Sequence, residues 1–256
     1  MEKAYKFRIY PTKEQEALLT KTFGCVRFVY NHYLAKRNAL YDEDRTILGY
    51  GACAVDLTQL KKEIEWLREP DSIALQAALE ALQAGFDNFH RERNKGNLGY
   101  GLPKFKKKSD SWKSYTTKSV NGNIKLSDRH IVLPKLGQLR CKVSKQVEGR
   151  ILRVTVSRNP SGKYFVSICC TGVAMQPYPP MGASVGIDLG LARFAVDSNG
   201  VEYRNNRYLR KGEEKLVRLQ RQLSRKQIGS NMTQKGKAEK FELDKAIKRA
   251  KERSLF

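Results

Sequence analysis

The sequence predicts an α+β chain of several units: helices packed with a small barrel of short strands, then a final strand-and-helix segment. Three observations predict it. Residues 3–10, and short segments running to residue 171, alternate polar with apolar side chains, the period of half-buried strands. Leu75, Leu79, Leu82, Phe86 and Phe89 recur at spacings of four, three, four and three, which is one face of a helix. Ser184-Val185-Gly186-Ile187-Asp188-Leu189-Gly190 is a short apolar run closed by a single acid and a glycine.

The elements follow in order. Lys3–Tyr10 is a strand that Pro11-Thr12 ends. Thr12 and Gln15 stand at capping-box spacing, so a helix starts there. Gly24 is expected to interrupt it, with a second helical run from about Val26 to Tyr41. Further helices are expected at about 55–69, on Leu57, Leu60, Ile64 and Leu67, and at 72–92, with Asp71 or Ser72 as N-cap after Pro70. The apolar stripe of that last helix reads as packing.

After Arg93 comes a glycine-rich loop over residues 94–103, then Lys104-Phe105-Lys106-Lys107-Lys108, Lys113, Trp112 and Tyr115. Asn121-Gly122, Pro134, Gly137 and Asn159-Pro160-Ser161-Gly162 mark turns, and Ile151–Ser157 with Lys163–Cys170 flank the last as a hairpin. Strands this short and this evenly spaced predict a small barrel. Pro177, Pro179 and Pro180 read as a stiff linker. Leu191–Val201 is a second apolar strand closed by Asp197-Ser198-Asn199-Gly200, so Asp188 falls on the first strand of a hairpin, expected in a core. Beyond Asn205 a basic helix carries Leu216, Leu219 and Leu223 on one face and Arg218, Arg221 and Arg225 at helical spacing. Gly229–Gly236 reads as a loop and Lys237–Arg253 as a charged helix.

Charge narrows the function. The net charge of +23 is uneven: residues 91–150 hold 16 Lys/Arg against 4 acids, residues 201–256 hold 17 against 7, and residues 51–90 hold 3 against 7. Two basic blocks around an acidic one imply surfaces that face a polyanion, and nucleic acid is the expected partner. Lys104, Lys106, Lys107, Lys108 and Lys113 with interleaved aromatics suit phosphates plus stacked bases. Arg218, Arg221, Arg225 and Lys226 suit a helix laid along a duplex. In each case the plain alternative is a solvated face.

No apolar run approaches the ~20 residues of a membrane span, and Met1–Lys6 lacks the apolar stretch of a secretory signal. Five scattered cysteines and three histidines give no zinc-site spacing and no disulfide framework. A reducing cytoplasm is expected.

Three readings fit Asp188. It could close a turn. A Gly-Ile-Asp-Leu-Gly strand also opens actin-like ATPases and sugar kinases, but their following turn offers threonine or serine to phosphates, and here it is Leu191-Ala192-Arg193. Thirdly, it could be the first of three carboxylates that hold two Mg²⁺ ions in an RNase H-like nuclease.

At this point the chain resembles the TnpB (OrfB) family of transposon-encoded RNA-guided DNA endonucleases. The resemblance is carried by Tyr10-Pro11-Thr12 with Gln15, leading to Gly24-Cys25-Val26-Arg27-Phe28-Val29-Tyr30-Asn31; by Leu102-Pro103-Lys104-Phe105-Lys106; and by Val185–Gly190 followed by the helix ending in Leu223-Ser224-Arg225-Lys226. It implies a first strand (1–11) of a wedge barrel, an inserted helical recognition lobe with a helix-turn-helix-like region (12–93), the rest of the wedge β-barrel (94–180) and the N-terminal part of a RuvC-like, RNase H-like domain (181–256). It implies a guide RNA from the transposon end, target double-stranded DNA, Mg²⁺ at Asp188, and a role accessory to transposition in the bacterial or archaeal cytoplasm, at the nucleoid.

The family's second and third carboxylate motifs, and the zinc ribbon between them, find no match in these residues. The expectation is therefore a C-terminally truncated, cleavage-deficient binder. The alternatives are a nuclease-dead, guide-dependent repressor of transcription and a protein that only binds RNA.

Overall fold

The computed structural model describes residues 1–45, 47–97, 99–110, 112–174, 182, 184–225 and 236–243. They fall into two compact units, Met1–Asn159 with Lys163–Ala174, and Pro160–Gly162 with Met175–Phe256.

In the first unit, β1 (Lys3–Tyr10) buries Tyr5, Phe7 and Ile9 and turns Lys6, Arg8 and Tyr10 the other way. A strand with one apolar face needs partners, and β1 finds them far along the chain. It pairs antiparallel with β5 (Gly137–Lys142) on one edge and with β7 (Tyr164–Thr171) on the other. With β2 (Lys113–Lys118), β3 (Lys125–Leu126), β4 (His130–Leu133) and β6 (Arg150–Arg158), these form a seven-stranded antiparallel sheet in the order β2-β6-β7-β1-β5-β4-β3. Turn chemistry sets the hairpins. Asn121 and Gly122 both have positive φ, as their turn demands. Gly149 is obligatory: at φ +81° an added Cβ would stand 2.3 Å from the Thr171 carbonyl oxygen.

Helix α1 (Lys13–Asp44) begins at the expected capping box. Gln15 Oε1 accepts from the Thr12 N–H at 3.0 Å, and its Nε2 donates to the Gln138 carbonyl at 2.9 Å, so the cap also ties the helix to the sheet. Gly24 does not break it. The helix runs unbroken for 32 residues because Leu19, Phe23, Val26, Val29, Tyr33 and Leu34 are all buried along one side. That burial outweighs the ~1 kcal/mol that an interior glycine costs.

The expected helix at 55–69 is instead α2 (Tyr50–Glu63) and a 3₁₀ turn, Glu65–Arg68. Arg68 folds back and donates to the Lys61 and Lys62 carbonyls at 2.8 and 3.2 Å, satisfying the end of α2, while Leu67 drops into the core. Helix α3 (Ser72–Asn94) is capped by Asp71 and buries Leu75, Leu79 and Leu82. Phe23 of α1 meets Tyr115 of β2 at 5.8 Å between ring centroids, so the helices and the sheet share one core.

In the second unit, β8 (Ile187–Leu189), β9 (Arg193–Asp197) and β10 (Glu202–Arg204) form a three-stranded sheet ordered β10-β9-β8. Helix α4 (Tyr208–Ser224) follows, and residues 236–243 are helical. The proline linker, Lys226, residues 229–235 and the helix expected beyond 243 lie outside the described residues. No described helix is long and apolar enough to cross a membrane.

Candidate nucleic-acid interface

Three groups of basic side chains can be built up from these elements. The first lies on the face of the sheet turned away from the core. Register sets Arg8 opposite Lys142, Tyr10 opposite Arg140, and Arg140 in turn opposite His130. On the other edge Arg8 faces Phe165 and Lys6 faces Ser167. Like charges directly opposite one another destabilise a sheet, so the Arg8–Lys142 pair costs stability.

Aromatic rings offset part of that cost. The Arg8 and Arg140 guanidinium groups lie 4.9 and 5.6 Å from the centroid of Tyr10, and Lys6 Nζ lies 5.4 Å from Trp112 and 5.3 Å from Phe165. Arg8 Nε is buried with no hydrogen-bond partner. Elsewhere on the sheet cations meet acids instead: Lys118 pairs with Glu80 at 2.6 Å and Arg153 with Glu2 at 3.8 Å. The strip through Lys6, Arg8, Arg140 and Lys142 is thus a row of cations among aromatic rings, a surface suited to phosphates and stacked bases. Its sequence signal was the alternation Lys6-x-Arg8-x-Tyr10, opposite in phase to Tyr5, Phe7 and Ile9.

The second group is the loop after α3. Lys104, Lys107 and Lys108 are exposed, and Lys113 opens β2 half-buried opposite Arg158. Lys106 differs. Asn31 of α1 donates to its carbonyl and accepts its N–H, both at 2.9 Å, and its ammonium stands 4.0 Å from the centroid of Tyr30. Burial of that ammonium against the ring holds its pKa below the ordinary lysine value, although the residue as a whole stays exposed. Lys106 therefore anchors the loop and is not the free phosphate contact its neighbours allow.

Pro103 packs on α3 where Gly85 leaves room; a Cβ there would stand 3.1 Å from the proline ring. Tyr115, expected to stack on a base, is buried in the core, and burial pushes its phenol pKa up. Asn31→Ala is expected to accelerate hydrogen exchange of the Lys106 amide on the order of tenfold while global stability falls by only ~1–2 kcal/mol. Exchange resolved at residues 100–110 checks this.

The third group belongs to the second unit. Arg218 and Arg221 are exposed on α4, with Leu216 and Leu219 half-buried, and Arg225 is exposed just past the helix.

Asp188 is on β8, at the edge of the small sheet. The expectation of a core strand is corrected here: Ile187 is 62% exposed, Leu189 57% and Leu191 93%, because the described strands cover neither face of β8. Asp188 stands opposite Val196, which stands opposite Glu202. The two carboxylates share a face but are two strands apart, about 10 Å. Glu202 is engaged by Arg193. Asp197 points to the other face and closes its turn, accepting from the Asn199 and Val201 N–H groups at 2.9 Å each. Among the described residues no three His, Cys, Asp or Glu side chains converge, so they do not by themselves form a seat for a two-metal centre.

Comparison with known proteins adds to this geometry. A family profile described as "Helix-turn-helix domain" matches residues 1–46, and one described as "Probable transposase" matches residues 152–252. The chain is 35% identical to "Putative RNA-guided DNA endonuclease InsQ" of Escherichia coli (strain K12), over 91% of its own length and 56% of the relative's. It is 37% identical to "Putative RNA-guided DNA endonuclease" of Streptomyces pristinaespiralis, over 90% and 56%. The virulence protein VsdF of Salmonella dublin is 35% identical over 42% of this chain and 95% of that protein. This chain belongs to the TnpB (OrfB) family.

It spans about half the length of the two longer relatives, 56% of each. Within this TnpB chain the helix-turn-helix match falls on β1 and the single helix α1. The transposase match runs from β6 through β8, which holds Asp188, and α4. Among solved structures, a Cas12f1–sgRNA–target DNA complex aligns with 97% of the chain and 65% of its own, at 14% identity and a TM-score of 0.34.

Proposed function

We propose that this chain is the nucleic-acid-binding portion of a transposon-associated, RNA-guided DNA endonuclease. One observation carries the reading: Arg8 and Lys142 face each other across β1 and β5, flanked by Lys6, Arg140 and three aromatic rings. A sheet that spends stability on facing like charges is built for a polyanion. The names of the relatives from E. coli and S. pristinaespiralis support the identity of that polyanion, a guide RNA with its DNA target.

In this reading β1–β7 form a wedge-type barrel over residues 1–11 and 94–180. Residues 12–93 are a helical recognition lobe, and residues 181–256 begin a RuvC-like domain. The guide RNA comes from the transposon end and lies on the open sheet face and on Lys104, Lys107, Lys108 and Lys113. Arg218, Arg221, Arg225 and Lys226 follow the duplex, and the protein works at the nucleoid in the cytoplasm. Asp188 is the first of the carboxylates that would hold Mg²⁺. The described residues supply no second or third, so no step of cleavage is derived through the metal.

The test is to purify the polypeptide of residues 1–256 from its host, sequence the RNA it carries and assay Mg²⁺-dependent cleavage of matching DNA. A single discrete RNA with specific DNA binding is expected; a bulk mixture of cellular RNA would refute guide binding. Cleavage by this polypeptide is expected at background, and unchanged in Asp188→Ala. Robust cutting lost in Asp188→Ala would show that residues beyond those described complete the metal site.

A further inference from the structure

The loop after α3 presents one aromatic side chain in a way that packing does not explain. Phe105 is 53% exposed, yet the backbone on both sides of it is pinned. Two residues before it, Pro103 lies against the bare Cα of Gly85 on α3. One residue after it, Lys106 is held by both polar atoms of the Asn31 side chain, with its ammonium over Tyr30. A side chain of this size left in water on a flexible loop would be an ordinary surface accident. Here the chain on either side is clamped to two different helices, and the ring is turned outward. Lys104, Lys107 and Lys108 are exposed around it.

We propose that Phe105 is a stacking platform for an unpaired nucleotide, with Lys104, Lys107 and Lys108 taking the flanking phosphates. Every base offers a π-face, so a ring fixed in place binds it at little conformational cost, and cations spaced along the loop follow the backbone on both sides. Asn31 and Gly85 are positioning residues for this platform. The inference rests on the nucleic-acid reading above and adds to it a single-stranded subsite that neither the sheet face nor α4 supplies.

The experiment uses the 256-residue chain and a single-stranded oligoribonucleotide carrying 5-iodouridine, with the same sequence as single-stranded DNA and as a duplex for comparison. Photocrosslinking is expected to map to the peptide holding Phe105, with either single strand and not with the duplex. Phe105→Ala is expected to lower affinity by about tenfold or more and to abolish that crosslink, while Phe105→Trp keeps both. Because the ring is exposed, the melting temperature should not move. The slope of log affinity against log salt should also stay put in Phe105→Ala, whereas Lys107→Gln should reduce it by about 0.7. Wild-type binding with an unchanged Phe105→Ala variant, or crosslinks that map elsewhere, would overturn the platform and leave RNA binding standing. No binding of any probe by the wild-type chain would overturn both.

Discussion

Replacing Lys6, Arg140 and Lys142 together by Gln is expected to weaken RNA binding about tenfold to a hundredfold at physiological salt. It is also expected to lower the slope of log affinity against log salt by about two. Each cation that neutralises a phosphate on a single strand releases ~0.7 counterion, so three contacts account for that change in slope. Arg8 is left in place because its Nε is buried and its side chain supports the ring of Tyr10. The three replaced residues lie on the open face of the sheet, away from Tyr5, Phe7, Ile9, Leu139 and Cys141 in the core. Removing Lys142 also relieves its repulsion with Arg8, so the triple variant should melt no lower than the parent. Filter binding or anisotropy across a salt series, with melting curves alongside, separates the two effects. Undiminished affinity in a folded triple variant would move the RNA off this face.

Asp71→Ala is expected to cost about 2–4 kcal/mol of stability, a large share of the ~5–15 kcal/mol that holds a domain together. Asp71 serves two elements at once. One carboxylate oxygen caps α3, accepting from the Ile73 N–H at 3.1 Å, and the other accepts from the Thr117 hydroxyl of β2. Loss of a cap costs about 1 kcal/mol. Thr117 is 1% exposed, so its hydroxyl would be left buried without an acceptor, at ~1–3 kcal/mol more. Asp71→Asn keeps a capping oxygen and an amide that can donate to the Thr117 oxygen, and should cost under ~1 kcal/mol. In a double-mutant cycle Thr117→Val should recover much of the loss in Asp71→Ala, because the orphaned hydroxyl is then gone. Additive losses in that cycle would mean the contact between α3 and β2 contributes little.

Much of the fold was legible in the chain because the signals were local. The capping box at Thr12 and Gln15, the cap at Asp71, the hairpin turned at Asn159–Gly162 and the α4 helix each depend on residues within a few positions of one another. Gly24 misled because its cost is local and small, while the burial that overrides it is contributed by α3 and the sheet, elements dozens of residues away. The strand around Asp188 misled for the converse reason. Val185, Ile187 and Leu189 have core composition, but composition does not say whether a covering layer is present, and the described residues do not cover it.

For the interface, the lysine run at 104–108 was visible as a run, but not the division of labour within it. Lys106 is set apart by Asn31 and Tyr30, 75 and 76 positions earlier in the chain. The sheet-face cations were seen only as half of an alternating strand. Arg8 and Lys142 become one site through pairing of β1 with β5 across more than 130 residues.

The sequence by itself determined the family, the basic character of the surface and the type and order of the elements, since each is written in motifs, charge and short-range periodicity. Tertiary structure alone decided which cations share a face, which lysine is a tether, and that Tyr115 is core while Phe105 is surface. Those outcomes depend on strand register and on contacts between residues far apart in the chain, and no local pattern encodes either.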